Sequence, residues 1–180
     1  MPSEPDNSQR VYTGTRFNLH RVELPSSDGR THPREYIAHP GSVLIVPMLD
    51  QDHVVLIQNY RFTAKAALWE LPAGTLEPPG EEPMRCAVRE VEEETGYRAG
   101  RMTPLFSFHV CPGISDEVMH AFVAEDLTQV GQELDASERI TPHVTEWKRA
   151  IQMIRSGEIR DGKTIAGLLY YDRWIRNEGG

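Results

Sequence analysis

The sequence predicts an α+β protein in which helices cover a mixed sheet. Three observations lead there. Strand-like segments fill residues 11–61. One strongly patterned helix follows at residues 83–95. Further strands then precede two amphipathic C-terminal segments. Strands, a central helix, more strands and closing helices make a layered arrangement of both element types.

Taken in order, residues 1–9 are polar, hold little to bury and read as a disordered tail. Residues 11–24 alternate moderately and read as one strand, bent along its length. Ser26-Ser27-Asp28-Gly29 is a turn signal, and residues 32–39 return as a strand. Val43-Leu44-Ile45-Val46, within residues 42–49, is the continuous apolar run of a buried strand. A turn at Asp50-Gln51-Asp52 and the run Val54-Val55-Leu56-Ile57 then predict a second hairpin. Pro83 suits a first helical turn, where its missing N–H costs nothing. Met84, Ala87, Val88, Val91 and Thr95 share one side of that helix and are expected to face the core. Gly96 is placed to end it in a left-handed conformation. Residues 101–108 and 117–124 read as strands around the loop Cys111-Pro112-Gly113-Ile114-Ser115. Residues 127–139 read as a loop and 140–144 as a last short strand. Residues 145–156 predict a helix with Trp147, Ala150, Ile151 and Ile154 inward, closed by Gly157. Residues 164–177 predict another, with Ile165, Leu168, Leu169 and Ile175 on its apolar side and Trp174 in the core.

Composition narrows the function classes. The 180 residues are 39% apolar and 26% charged, which suits one soluble globular domain. The net charge of −8 argues against generic attraction to nucleic acid. Two cysteines, Cys86 and Cys111, make neither a disulfide framework nor a zinc site. The polar N-terminus lacks a signal core and no apolar run spans a membrane, so a cytoplasmic location is expected.

The richest segment is Arg89-Glu90-Val91-Glu92-Glu93-Glu94-Thr95-Gly96-Tyr97. In a helix, Glu90, Glu93 and Glu94 share one face while Glu92 points away, since each residue turns by about 100°. Like charges at this spacing cost roughly 0.2–0.5 kcal/mol per pair. A solvated acidic face is one explanation. A divalent cation that prefers carboxylate oxygens is the other.

The upstream residues favour the cation. Leu71-Pro72-Ala73-Gly74 leads to Glu81, and seven residues separate Glu81 from Arg89. The whole resembles the signature of the Nudix hydrolases. Every fixed position from Glu81 to Tyr97 matches, and the one departure is a spacing of six residues rather than five between Gly74 and Glu81. The extra residue is placed at Pro78-Pro79, in the loop before the helix.

The resemblance implies the Nudix fold, an α/β/α sandwich around a mixed sheet, for residues 42–180. It also implies that residues 1–41 hold, besides the tail, extra antiparallel strands that form a homodimer and help build the substrate site. By the same resemblance Glu90 and Glu94 are the principal ligands of Mg²⁺, with Mn²⁺ a possible substitute. Glu93 supports them, the Ala73 carbonyl is a further ligand, and Arg89 orients the acids. Metal-activated water is the expected nucleophile. The general base is expected in the loop at residues 127–139, at Glu138, with Glu133 next.

Flanking residues resemble the ADP-ribose pyrophosphatase branch. Gln58-Asn59-Tyr60-Arg61 precedes Trp69-Glu70-Leu71-Pro72-Ala73-Gly74, and Cys111-Pro112-Gly113-Ile114-Ser115-Asp116-Glu117 stands where the branch carries a Ser-Pro-Gly element. Arg61 is expected to clamp a phosphate, with Glu70, Pro112 and Glu117 as further substrate contacts. Tyr12, Phe17 and Tyr36 are candidate partners for the base. The implied reaction is hydrolysis of ADP-ribose to AMP and ribose 5-phosphate. Another nucleoside diphosphate sugar, such as GDP-mannose, is the rival substrate, and a nucleotide-sugar sensor without turnover is the rival class.

Overall fold

The computed structural model describes residues 7–14, 17–78, 80–134 and 139–176. Its organising element is β4 (Ser42–Pro47), all six residues of which are buried. It pairs antiparallel with β7 (Ala73–Thr75) and parallel with β9 (Val118–Gln129), and β9 pairs antiparallel with β8 (Tyr97–His109). The resulting mixed sheet has the order β7-β4-β9-β8. An antiparallel sheet joins β10 (Ile140–Glu146), β5 (His53–Arg61) and β6 (Ala66–Glu70) in that order. A separate N-terminal antiparallel sheet contains β1 (Gln9–Thr13), β2 (Asn18–Pro25) and β3 (Thr31–Ala38).

The alternation of side chains along β4 builds two cores. Val43 and Ile45 face α1 (Pro83–Thr95) and meet its Cys86, Ala87 and Val91. Leu44 and Val46 face the other way, toward Leu56, Leu71 and the helices α2 (Trp147–Ser156) and α3 (Gly162–Tyr171). Full burial contributes about 1.5–3 kcal/mol per aliphatic side chain, which makes this strand the main anchor of both layers. Gly167 lets α3 approach closely, because a Cβ there would lie 2.9 Å from both Leu44 and Leu71 methyl carbons. The expected α/β/α layering and extra N-terminal strands are present.

Several local expectations need correction. Residues 11–24 form two strands, because the chain folds back at Gly14, whose N–H donates to the Phe17 carbonyl at 3.0 Å. Residues 7–9 are not a loose tail: Gln9 pairs with Arg21, and Ser8 lies 3.0 Å from His20 Nδ1. Residues 1–6 lie outside the described residues. β4 and β5 do not form a hairpin but belong to different sheets, joined at their ends by one bridge, Met48 to Val54. β8 and β9 run past the predicted ends, so residues 127–129 are strand rather than loop.

On α1 the buried place predicted for Val88 belongs to Cys86, and Val88 is exposed. On α2, Met153 is fully buried while Ile151 and Ile154 pack at the edge. α3 begins at Gly162, earlier than predicted, and a π-helical segment, Asp172–Arg176, follows it. Leu169, Ile175 and Trp174 are exposed rather than core, with Trp174 leaning on Tyr170 at 4.9 Å.

Candidate active site

The acidic residues sit where local chemistry fixes α1. Glu82 caps the helix by accepting the Arg85 N–H at 2.9 Å, and Pro83 begins it. Gly96 ends it at φ 75°, donating to the Glu92 carbonyl at 2.9 Å. Glu94 is buried, Glu90 nearly so, and Glu93 is open to solvent. Arg89 gathers the acids: Nη1 donates to Glu90 at 2.7 Å and to Glu93 at 2.9 Å, and Nη2 reaches Glu81 at 3.3 Å. Burial works against the charge on Arg89, but Glu90, Glu81 and Glu93 outweigh it and raise its pKa. Burial likewise opposes ionisation of Glu81, yet the Glu77 N–H and Arg89 hold its carboxyl below the ordinary value. Glu92 points away, as expected, and pairs with Arg98 through two contacts of 2.8 and 2.9 Å.

The spacing of six between Gly74 and Glu81 is absorbed in the turn. Gly80 is left-handed there, at φ 89°, while Pro79 lies outside the described residues. Glu81 still reaches Arg89, so the insertion leaves the helical acids in register.

β7 supplies the floor. The Ala73 N–H donates to Glu94 Oε2 at 2.9 Å. Gly74 lies directly under Glu90, where a Cβ would come within 1.9 Å of the carboxylate carbon. Only glycine leaves room for that carboxylate. Among the described residues no three His, Cys, Asp or Glu side chains form a closed metal cage. Mg²⁺ does not need one, because it takes one or two carboxylates and keeps waters or substrate phosphates. Hard oxygens on Glu90 and Glu94, set against the β7 backbone, fit that demand.

Above this floor opens a cavity of about 550 Å³. Ala73, Gly74, Arg61 and Glu117 line it, as do Phe108 and Lys163. Glu117 accepts the Ser42 hydroxyl at 2.7 Å. Arg61 holds Glu70 with a fork of 2.9 and 2.7 Å, and this bond, more than the opposing burial, raises the Arg61 pKa. Glu70 therefore stands behind Arg61, fully buried, and outside the cavity wall. Pro112 is exposed and also outside the wall, which the same hairpin reaches through Phe108, His109 and Val110.

Glu138 lies outside the described residues. Its rival Glu133 is exposed, and its N–H donates to the Glu93 carbonyl at 3.3 Å. Tyr12 on β1 and Phe17 just before β2 lie 6.5 Å apart, and Tyr36 packs on His20 at 5.5 Å. Phe108 is the aromatic ring in the cavity wall.

Sequence reasoning missed Asp161 and Lys163, both in the wall. Asp161 is the N-cap of α3, accepting the Thr164 N–H at 3.0 Å. An Asp three residues before Thr164 was the available signal.

Layered fold, acidic helix and glycine floor together define a class. The NUDIX domain family matches residues 38–165, and the chain belongs to that family. An ADP-ribose pyrophosphatase of Bacillus subtilis (strain 168) is 32% identical over 164 residues, covering 90% of this chain and 88% of the relative. A GDP-mannose pyrophosphatase of Shigella flexneri is 32% identical over 177 residues, covering 89% and 91%. A crystal structure of an ADP compounds hydrolase superposes with a TM-score of 0.83 at 24% identity, covering 97% of this chain and 94% of that one. No helix among the described residues is long and apolar enough to cross a membrane.

Proposed function

We propose that this chain hydrolyses the diphosphate bond of ADP-ribose, with Mg²⁺ as its metal, Mn²⁺ as a substitute, and AMP and ribose 5-phosphate as products. The observation that carries the reading is the packing of Glu90 and Glu94 against Ala73 and Gly74 of β7, two residues that line the same cavity as Arg61. A divalent ion bound there would neutralise phosphate charge and lower the pKa of the attacking water. Glu90, Glu94 and the Ala73 carbonyl hold it, with Glu93 in support. Arg89 keeps the acids in place.

Arg61 donates to a phosphate, and Glu70 fixes its guanidinium plane. Glu117 binds substrate from the cavity wall, while Pro112 sets the course of the hairpin loop beyond it. Glu138 accepts the proton of the attacking water. The ends of its loop support this assignment. At one end Gln132 Nε2 donates to the Glu94 carbonyl at 2.6 Å. At the other the Arg139 carbonyl accepts the Tyr60 N–H at 3.4 Å, next to Arg61.

A panel of nucleoside diphosphate sugars, with products resolved by ion-exchange chromatography, tests the reading. ADP-ribose is expected to give the highest kcat/KM. Preference for GDP-mannose would move the substrate, and no Mg²⁺-dependent cleavage of any member would leave a sensor.

The N-terminal unit, residues 1–41, is proposed to pair two copies of the chain. Val11, Tyr12, Phe17 and Leu24 are exposed on or beside its sheet and support that role. Sedimentation should give twice the chain mass of 20.4 kDa, and the monomer value would sink the dimer.

A further inference from the structure

We infer that Asp161, Lys163 and Thr164, at the start of α3, form a positioning clamp that fixes residues 70–74 for the reaction. The inference rests on the hydrolytic reading above. A closed ring of hydrogen bonds carries it. The Thr164 hydroxyl accepts the Leu71 N–H at 2.8 Å and donates to Asp161 Oδ2 at 2.6 Å. Asp161 Oδ1 accepts Lys163 Nζ at 2.8 Å. Lys163 Nζ also donates to Glu70 Oε2 at 2.8 Å. Glu70 precedes Leu71, so the ring leaves the chain at one residue and returns at its neighbour.

The segment after the ring carries the site. The Pro72 carbonyl accepts the Ile45 N–H at 2.9 Å, the Ala73 N–H holds Glu94, and Gly74 seats Glu90. A shift at Glu70 and Leu71 would thus pass directly to both acids. Helix capping alone accounts for the bond from the Thr164 N–H to Asp161. It does not account for a hydroxyl and an ammonium that both reach a strand 93 residues earlier in the chain.

Burial shows how firmly the ring is held. Glu70 and Thr164 are fully buried. Two cations, Arg61 and Lys163, contact the buried Glu70 carboxylate at 2.7 and 2.8 Å. Lys163 lines the cavity, yet two of its three N–H donors go to Glu70 and Asp161. Its role is therefore to set the position of Glu70, and with it residues 71–74, rather than to bind substrate.

Three variants test the clamp. Thr164→Val keeps the shape and removes the hydroxyl, Thr164→Ser keeps the hydroxyl, and Lys163→Met removes the charge. T164V and K163M are each expected to lower kcat for ADP-ribose about tenfold or more while KM stays within about threefold. T164S should stay near the parent. Amide hydrogen exchange at Leu71 and Ala73 should quicken in T164V and not in T164S. An increase in KM alone for K163M would make Lys163 a direct substrate ligand and overturn the assignment. Unchanged exchange at Leu71 in T164V, or faster exchange with unchanged kcat, would also overturn it. Failure of the parent protein to cleave any nucleoside diphosphate sugar would instead sink the hydrolytic reading. The exchange measurement needs no substrate and would still decide whether the clamp exists.

Discussion

Replacing Gly74 with alanine adds one methyl group and should disable the enzyme without unfolding it. The added Cβ would lie 1.9 Å from Glu90 Cδ, 2.0 Å from Oε1 and 2.4 Å from Cγ. Ordinary contact begins near 3.4 Å. The carboxylate must therefore retreat by roughly 1.5 Å, and a misplacement of about 1 Å can cost about a hundredfold in rate. The expected fall in kcat is about a hundredfold or more, equivalent to about 2.7 kcal/mol of barrier. Stability should change little. Gly74 does not occupy the left-handed region, so alanine can adopt its backbone conformation. A melting temperature within about 4 °C of the parent is expected. Steady-state assays over a range of Mg²⁺ concentrations, with melting curves alongside, make the measurement. Turnover within about threefold of the parent would show that the Glu90 position over β7 is not required.

Four further outcomes follow from the same geometry. Glu138→Gln should lose most turnover while the affinity for a non-hydrolysable ADP-ribose analogue in Mg²⁺ is kept; near-normal turnover would assign the base elsewhere. Glu81 is held below its ordinary value of 4.5, so its contribution to stability is present above that pH and is lost as pH falls through the depressed value. Chemical denaturation at several pH values should show the drop, and Glu81→Gln should flatten it. Burial pushes the Cys86 thiol up to about 12, whereas Cys111 is exposed, so a disulfide reagent should titrate one thiol in the native protein and the second only after unfolding. Chelation of divalent ions should weaken analogue binding about tenfold or more, and the analogue should raise Mg²⁺ affinity by the same factor, as linkage requires.

Legibility in the sequence followed the range of the interactions. The bounds of α1 were readable to the residue, because a first-turn proline and a terminal glycine are local signals, although its buried face was misread at Val88. The turn at Gly14 was hidden, since the strand pattern continues on both sides of it. The partner of β4 was not legible either. Its parallel pairing with β9 brings Ser42 beside Met119, and no local pattern announces such a distant neighbour. The same limit governed the site. The box acids, Arg89 and the Ala73-Gly74 floor lie within one stretch of chain, so their proximity was legible. Lys163 and Asp161 meet Glu70 from the far end of the domain and were missed. Trp174 was misread because hydrophobic type predicts burial only on average; here the ring closes an aromatic row with Tyr170 and Phe106 at the surface.

Charge is arranged differently around Arg61 and along α1. Beside the cavity, Arg61 and Lys163 offset Glu70 and Asp161 through direct contacts, while Glu117 in the wall accepts the Ser42 hydroxyl. On the helix, Glu81, Glu90 and Glu93 share the single guanidinium of Arg89, and Glu94 lies beside them against a neutral backbone N–H. Four carboxylates thus gather on or next to one helix, within a chain whose net charge is −8. A diphosphate approaching the bare helix would be repelled. A divalent cation bound there would offset that charge, so metal and substrate would favour each other's binding. The wall would then serve a separate end: Arg61, held in place by Glu70, would orient the substrate.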